Sequence, residues 1–296
     1  MSADGPSERE LAEVEALVRL ALRGGGETDL RMLAWGEIGP VLGWPAAAPA
    51  FALKRLPPFT SAAAADAFAA TLEDYIAALA SHGLACVPTT MRRVPHGHGV
   101  VGWIVQPLLD AGTIGPELLR RADPATGHPV LDAALEADLT IPGPRLALDG
   151  QLSNFAFADG RLLYLDVTTP LLFDADGRLR MDIGLLLGAL PAVLRPVVRR
   201  WVVPDLLRRY RDPRAVVLDL LGNLLKERLE AWVPVALERV GDRVSPAITA
   251  DEVRGVYTSD ARLWEVLLRL RRMDRAWQRH VRRREYPFLL PGPIER

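Results

Sequence analysis

Only two of the chain's 36 basic residues are lysines, Lys54 and Lys226; the rest are arginines. Lys54 ends the run "FALK" and stands against that bias. A compact ammonium on a flexible stem serves a phosphate or a carboxylate in a way that a rigid guanidinium fork does not. A second group of residues lies in "LALDGQLSNFAFADGRLLYLDVTTP": Asp149, Asn154 five positions on, and Asp166 beyond a turn signal at Asp159-Gly160. Two carboxylates and an amide carry the oxygen donors that a hard cation such as Mg²⁺ takes. An ammonium together with oxygen donors of this kind suits the chemistry of phosphoryl groups.

Such residues need elements to hold them. Leu11, Val14, Leu17, Val18, Ala21 and Leu22 recur at helical spacing and predict a helix over 8–23, ended by the glycines at 24–26. "RMLAWGEIGPVLGW" and "AFALKRL" predict strands punctuated by Gly36, Gly39 and Gly43. Residues 60–83 predict a long helix, with Thr60 or Ser61 as N-cap and Gly83 past its end. "LACVPTTMRRV" and "GVVGWIVQPLL" predict two further strands. Helical patterning dominates after that, broken by a predicted hairpin over 154–167. The expected architecture is α+β: a small β-rich N-lobe over 1–105 and a larger helical C-lobe over 106–296, with the catalytic-type loop and its hairpin at 147–170. Turn length decides whether Asn154 and Asp166 meet. A two-residue turn pairs Asn154 with Leu165 and leaves Asp166 on the opposite face. A three-residue loop, Asp159 to Arg161, sets Asn154 across from Asp166, and that loop, or a bulge with the same effect, is the expectation.

In order and spacing these residues resemble the protein-kinase-like superfamily, closest to its aminoglycoside phosphotransferase and small-molecule kinase branch, over roughly residues 30–290. The resemblance implies a bilobal kinase-like fold with nucleotide between the lobes. It implies that Asp149 orients the acceptor hydroxyl and that Asn154 and Asp166 hold Mg²⁺. Lys54 would contact the nucleotide phosphates and pair with a carboxylate of the long helix, Glu73 first and Asp74 second. "GEIGPV" (36–41) matches the later part of a Gly-rich loop, so Gly36 and Gly39 would cover the phosphates. "WIVQPLL" (103–109), with Gln106, falls where the lobe connector would meet the adenine. The implied cofactors are ATP and Mg²⁺, and the implied reaction is phosphoryl transfer to a hydroxyl of a small molecule. Thr168 and Thr169 lie close enough in sequence to touch the metal shell or the substrate.

Three positions depart from the family pattern. Ala147 stands two residues before Asp149 where the family has His, Val167-Thr168 follows Asp166 in place of Phe-Gly, and Ala34 replaces the first glycine of the full loop. These departures motivate an alternative, a kinase-like protein that binds nucleotide or a partner with weak or no turnover. Another alternative keeps the enzyme and makes the acceptor a Ser or Thr of a peptide.

A net charge of −1 supplies no global field for nucleic acid or an acidic membrane. A single cysteine, Cys86, excludes an internal disulfide and argues against a Cys-based metal site. The N-terminal segment has no basic stretch followed by an apolar run, and the apolar stretch 184–203 is broken by Pro191, Arg195 and Pro196. The expectation is a cytoplasmic chain with neither nucleic-acid nor membrane partners. Plainer readings stand beside the chemical ones: Lys54 as a strand-edge lysine, Asp149-Gly150 as a turn, Asp166 as a cap, Glu73 as a solvated helix carboxylate, and His96 and His98 as a polar loop. The C-terminal run "RLRRMDRAWQRHVRRREYPF" reads either as a solvated amphipathic helix or as a surface for an anionic partner.

Overall fold

The structure is a computed structural model that describes residues 5–23, 29–36, 39–97, 99–188, 190–192, 194–283, 286 and 288–290, apart from the side chains of 260–264. Ser7 opens α1 (Glu8–Leu22) with a capping box: its hydroxyl accepts from the Glu10 amide, and the Glu10 carboxylate accepts from the Ser7 amide at 2.8 Å. Strands β1 (Arg31–Trp35), β2 (Pro40–Trp44) and β3 (Phe51–Arg55) follow. Ser61 then caps α2 (Ala62–Ser81) by accepting from the Ala64 amide. Strands β5 (Thr90–His96) and β6 (Gly99–Pro107) complete a five-stranded antiparallel sheet in the order β1-β2-β3-β6-β5.

Beyond its exposed edge strand β1, the sheet packs against a core on each face, and strand alternation sorts the side chains of β3. Leu53 points to α1, where it joins Leu11, Val18, Leu22, Trp103 and Val105 in a small core. Each buried leucine there contributes roughly 1.5–3 kcal/mol. Arg55 points the same way and makes a bidentate pair with the buried Glu15 at 2.8 and 2.7 Å. His96 approaches the same carboxylate at 3.2 Å, so it takes part in a helix–sheet contact; His98 lies outside the described residues. Lys54 projects from the opposite face, toward the rest of the molecule.

That opposite face belongs to the main core, which runs from α2 through the helical part. A short strand β4 (Ala85–Cys86) leaves the end of α2 and pairs in parallel with β8 (Arg161–Tyr164), which is antiparallel to β7 (Phe155–Ala158). The order of this second sheet is β4-β8-β7, so the segment after α2 braces the hairpin directly. Burial pushes the Cys86 thiol up to about 12, which leaves it an inert packing group. Helices α3 (Gly115–Arg121), α4 (Pro129–Thr140), α5 (Gly184–Leu187), α6 (Arg195–Val197), α7 (Val203–Arg209), α8 (Pro213–Lys226), α9 (Val233–Val240) and α10 (Ala250–His280) form the helical part, with a π-helical turn at Val198–Val202 joining α6 to α7. The architecture is thus α+β, sheet-rich first and helical after. No helix among the described residues is long and apolar enough to cross a membrane.

The hairpin corrects the expected turn. Ala158 pairs with Arg161, so the turn is the two-residue Asp159-Gly160, with φ of 52° and 71° at its centre. Positive φ at both central residues is the type I′ geometry that Asp-Gly favours, because its twist matches that of the flanking strands. Asn154 therefore opposes Leu165, whose amide donates to the Asn154 carbonyl at 2.9 Å.

Candidate functional site

Lys54 crosses from β3 to the segment after the hairpin. Its Nζ lies 3.1 Å from Asp166 Oδ1 and 3.5 Å from the Leu165 carbonyl. The same Oδ1 accepts from the Thr168 hydroxyl at 2.5 Å and from the Thr168 amide at 3.3 Å. Burial pushes the Asp166 carboxyl up, but the Lys54 ammonium and the Thr168 donors outweigh it and hold the group below the usual carboxylate range. All of these bonds fall on Oδ1. Among the described residues Oδ2 has no hydrogen-bond partner.

Gln106 approaches from β6. It is buried, and its amide donates to Thr89 Oγ1 and to the Leu165 carbonyl, each at 3.0 Å. The expectation that it belongs to an adenine-facing connector is corrected here: β6 continues through Pro107, and the Gln106 amide is committed to joining the first sheet to the residue before Asp166.

At the other end of the hairpin, a 3₁₀ turn (Leu152–Asn154) follows Asp149. Asn154 Nδ2 donates to the Asp149 carbonyl at 3.2 Å, which leaves its amide oxygen as an acceptor with no partner among the described residues. Two buried phenols hold the same loop. Tyr164 donates to the Asp149 carbonyl at 3.3 Å, and Tyr75 of α2 donates to the Ala147 carbonyl at 3.1 Å. Burial raises both phenols well above their ordinary value, so they remain donors at neutral pH. The loop is thus tied by tyrosines from α2 and β8. Tyr164 also spans the site, since both Asp149 and Asp166 lie near enough to act on its phenol.

Three aspartates crowd beneath the loop. Asp138 of α4 is fully buried, and both of its carboxylate oxygens lack hydrogen-bond partners among the described residues. Burial first, then the charges of Asp219 and Asp149, push its carboxyl well above the ordinary value. Gln151 donates to Asp219 Oδ2 of α8 at 3.2 Å, and Asn223 of α8 accepts from the Ser153 amide at 3.4 Å, so α8 supports the loop from below. Gly150 lies so close to Asp138 that a Cβ built on it would be 2.2 Å from Oδ1. Gly150→Ala should therefore lift the loop and lower stability by about 1–3 kcal/mol. Adding Asp138→Ala should recover part of that loss, read as the unfolding midpoints of the single and double variants. Equal midpoints for the two would show that this contact does not constrain the loop.

The long helix does not present Glu73 to Lys54. Glu73 is exposed and makes no ion pair among the described residues, because the inward stripe of α2 is Phe68, Leu72, Tyr75 and Leu79. Asp74, the second choice, pairs instead with Arg180 at 2.6 Å. The partner of Lys54 in this structure is Asp166. Gly36 and Gly39 close the β1–β2 hairpin, with the Gly36 amide donating to the Gly39 carbonyl at 2.9 Å; the two residues between them lie outside the described set. No group of three or more His, Cys, Asp or Glu among the described residues has the arrangement of a protein-only metal site.

Asp138 was absent from the sequence reading, yet its spacing carried a signal. With Leu131, Ala134 and Leu135 it completes an i, i+3, i+4, i+7 stripe, so it sits on the apolar face of α4. Glu15 betrays itself in the same way between Leu11, Val18 and Leu22.

The sequence profile of a family of unknown function (DUF6206) matches residues 41–275, most of the chain, and takes in every residue named above at the site except Gly36 and Gly39. No curated protein matches the chain.

Proposed function

We propose that this chain, which belongs to the DUF6206 family of unknown function, is a bilobal kinase-like phosphotransferase that moves a phosphoryl group from ATP to a hydroxyl of a small molecule. The observation that carries the reading is the 3.1 Å Lys54–Asp166 pair, formed across 112 residues beside a loop that holds Asp149 and Asn154. In this reading Lys54 takes up nucleotide phosphate oxygens and Asp149 orients the acceptor hydroxyl. The two-residue turn sets Asn154 opposite Leu165 and so does not pair it with Asp166 as the metal site was expected to require; Asp166 Oδ2, with no hydrogen-bond partner among the described residues, is the oxygen that would hold Mg²⁺, which would supply charge neutralisation at the phosphates. Tyr75 and Tyr164 keep the backbone at 147–149 in place, so that the chain contributes position more than covalent chemistry.

The test is single-turnover consumption of ATP by the full chain with Mg²⁺ and a pool of metabolites, with Asp166→Ala as control. A mass gain of one phosphate on an acceptor, lost in the variant, supports the reading. Equal background in both proteins removes it.

A second reading follows from one observation: Lys54 is engaged by Asp166 and receives no carboxylate from α2. On that reading the Lys54–Asp166 site holds nucleotide without turning it over. Nucleotide-dependent thermal stabilisation with no ATP consumed decides for it.

A further inference from the structure

The segment 195–209, "RPVVRRWVVPDLLRR", packs Leu207 on the main core but leaves several of its apolar side chains in solvent. Trp201 is 71 % exposed, and Val197, Val202 and Leu206 are exposed with it. On α10, Met273 and Trp277 are 68 % and 56 % exposed. The charge around these residues is one-sided. Segments 195–209 and 265–283 together hold twelve arginines against Asp205, Glu265 and Asp274, an excess of nine in a chain whose net charge is −1.

Around Trp201, local pairing leaves part of that charge unmatched. Asp205 is taken by Arg208 and Arg209, and Glu265 by Arg269. Arg199 and Arg200, which precede Trp201, have no carboxylate partner among the described residues; Arg200 lies over the Trp201 ring at 5.4 Å. On α10, burial first, and then the neighbouring Arg279 and Arg272, push the Arg275 guanidinium down.

The two segments share a root. Arg195 donates to the Leu190 and Gly188 carbonyls at 3.0 and 3.2 Å. A Cβ on Gly188 would touch the Phe288 ring at 3.9 Å, and Arg271 of α10 lies over that ring at 5.5 Å. One buried phenylalanine therefore connects the start of α6 with the middle of α10.

From this geometry we propose that segment 195–209 and the outer stripe of α10 dock the protein on the surface of an anionic membrane. Exposed aliphatic groups, two tryptophans and a surplus of arginine combine the three features of an interfacial helix: an apolar side for the acyl boundary, aromatic rings for the headgroup level, and cations for anionic lipid. A polyanion such as nucleic acid accounts for the arginines but gives no use to Val197, Val202, Leu206 and Met273. Lying on a surface requires no membrane-spanning helix, so the absence of one among the described residues does not bear on it. The expectation of no membrane partner rested on spanning and targeting segments and on the net charge of −1, which averages over the chain and does not register a local surplus of arginine. The proposal is independent of phosphoryl transfer.

Vesicle sedimentation of the full chain tests it. The protein should bind vesicles of equal parts phosphatidylglycerol and phosphatidylcholine, release as salt rises, and ignore pure phosphatidylcholine. Tryptophan emission should shift to the blue on binding. Arg199→Glu with Arg200→Glu should weaken partitioning by about 10-fold or more, and Trp201→Ser should do so while leaving the unfolding midpoint unchanged. Failure to bind the anionic vesicles, or binding untouched by these substitutions, overturns the proposal. So does equal binding to RNA with no spectral shift, which assigns the face to polyanions. Concentration-dependent dimers that blue-shift tryptophan without lipid also overturn it, and assign the face to a second copy of the chain.

Discussion

Asp149→Asn should cut phosphoryl transfer by about 10²- to 10⁴-fold while nucleotide still stabilises the protein. The substitution keeps the shape of the side chain, and the bonds that hold the loop go to backbone. Tyr164 and Asn154 donate to the carbonyl of residue 149, and Tyr75 to that of Ala147, so all three survive. What disappears is the negative charge that, on the proposed function, orients the acceptor hydroxyl. Single-turnover rates for the two proteins, alongside nucleotide-induced thermal shifts, separate chemistry from binding. A rate within about threefold of wild type would deny Asp149 its role, whatever becomes of Asp166.

Asp138→Asn should raise the unfolding midpoint near pH 8 by a few degrees, on the order expected for roughly 1–2 kcal/mol in a chain of this size. The sign follows from linkage. An unfolded aspartate titrates near 3.8, and burial with the charges of Asp219 and Asp149 raises the folded value. Between those two values the folded chain keeps a proton that the unfolded chain releases. The contribution of Asp138 is therefore fully present below the unfolded value and is lost as pH rises toward the folded one. An amide of the same shape has no such dependence. Midpoints measured from about pH 4 to pH 8 should converge at the acid end and separate at the alkaline end. Parallel curves would mean that Asp138 does not carry a proton into the folded state.

Local patterns in the sequence were reliable where one face of an element decides the outcome. The helix over 60–83 is α2, and "FALK" is β3 with Lys54 turned away from the α1 side. The hairpin was equally legible from its Asp-Gly, but its length was argued from what a metal pair required, and the backbone followed the turn preference of Asp159-Gly160 instead. Glu73 failed for a related reason. Its position was chosen by analogy with a helix carboxylate, whereas the apolar period of α2 places it outward. Asp138 stayed hidden because a carboxylate in "LDAALEADLT" passes for a solvated one until the stripe it completes is counted. The tyrosine ties to 147 and 149 join residues 72 and 15 positions apart, and no local pattern announces them.

The Tyr75 hydrogen bond makes α2 a strut between the first sheet and the 147–149 loop. Its phenol donates to the carbonyl two residues ahead of Asp149, its neighbour Asp74 pairs with Arg180 beyond the hairpin, and its inner face packs with Ile104 of β6 in one core. On the proposed function, a nucleotide at Lys54 and an acceptor at Asp149 would therefore bear on one shared helix.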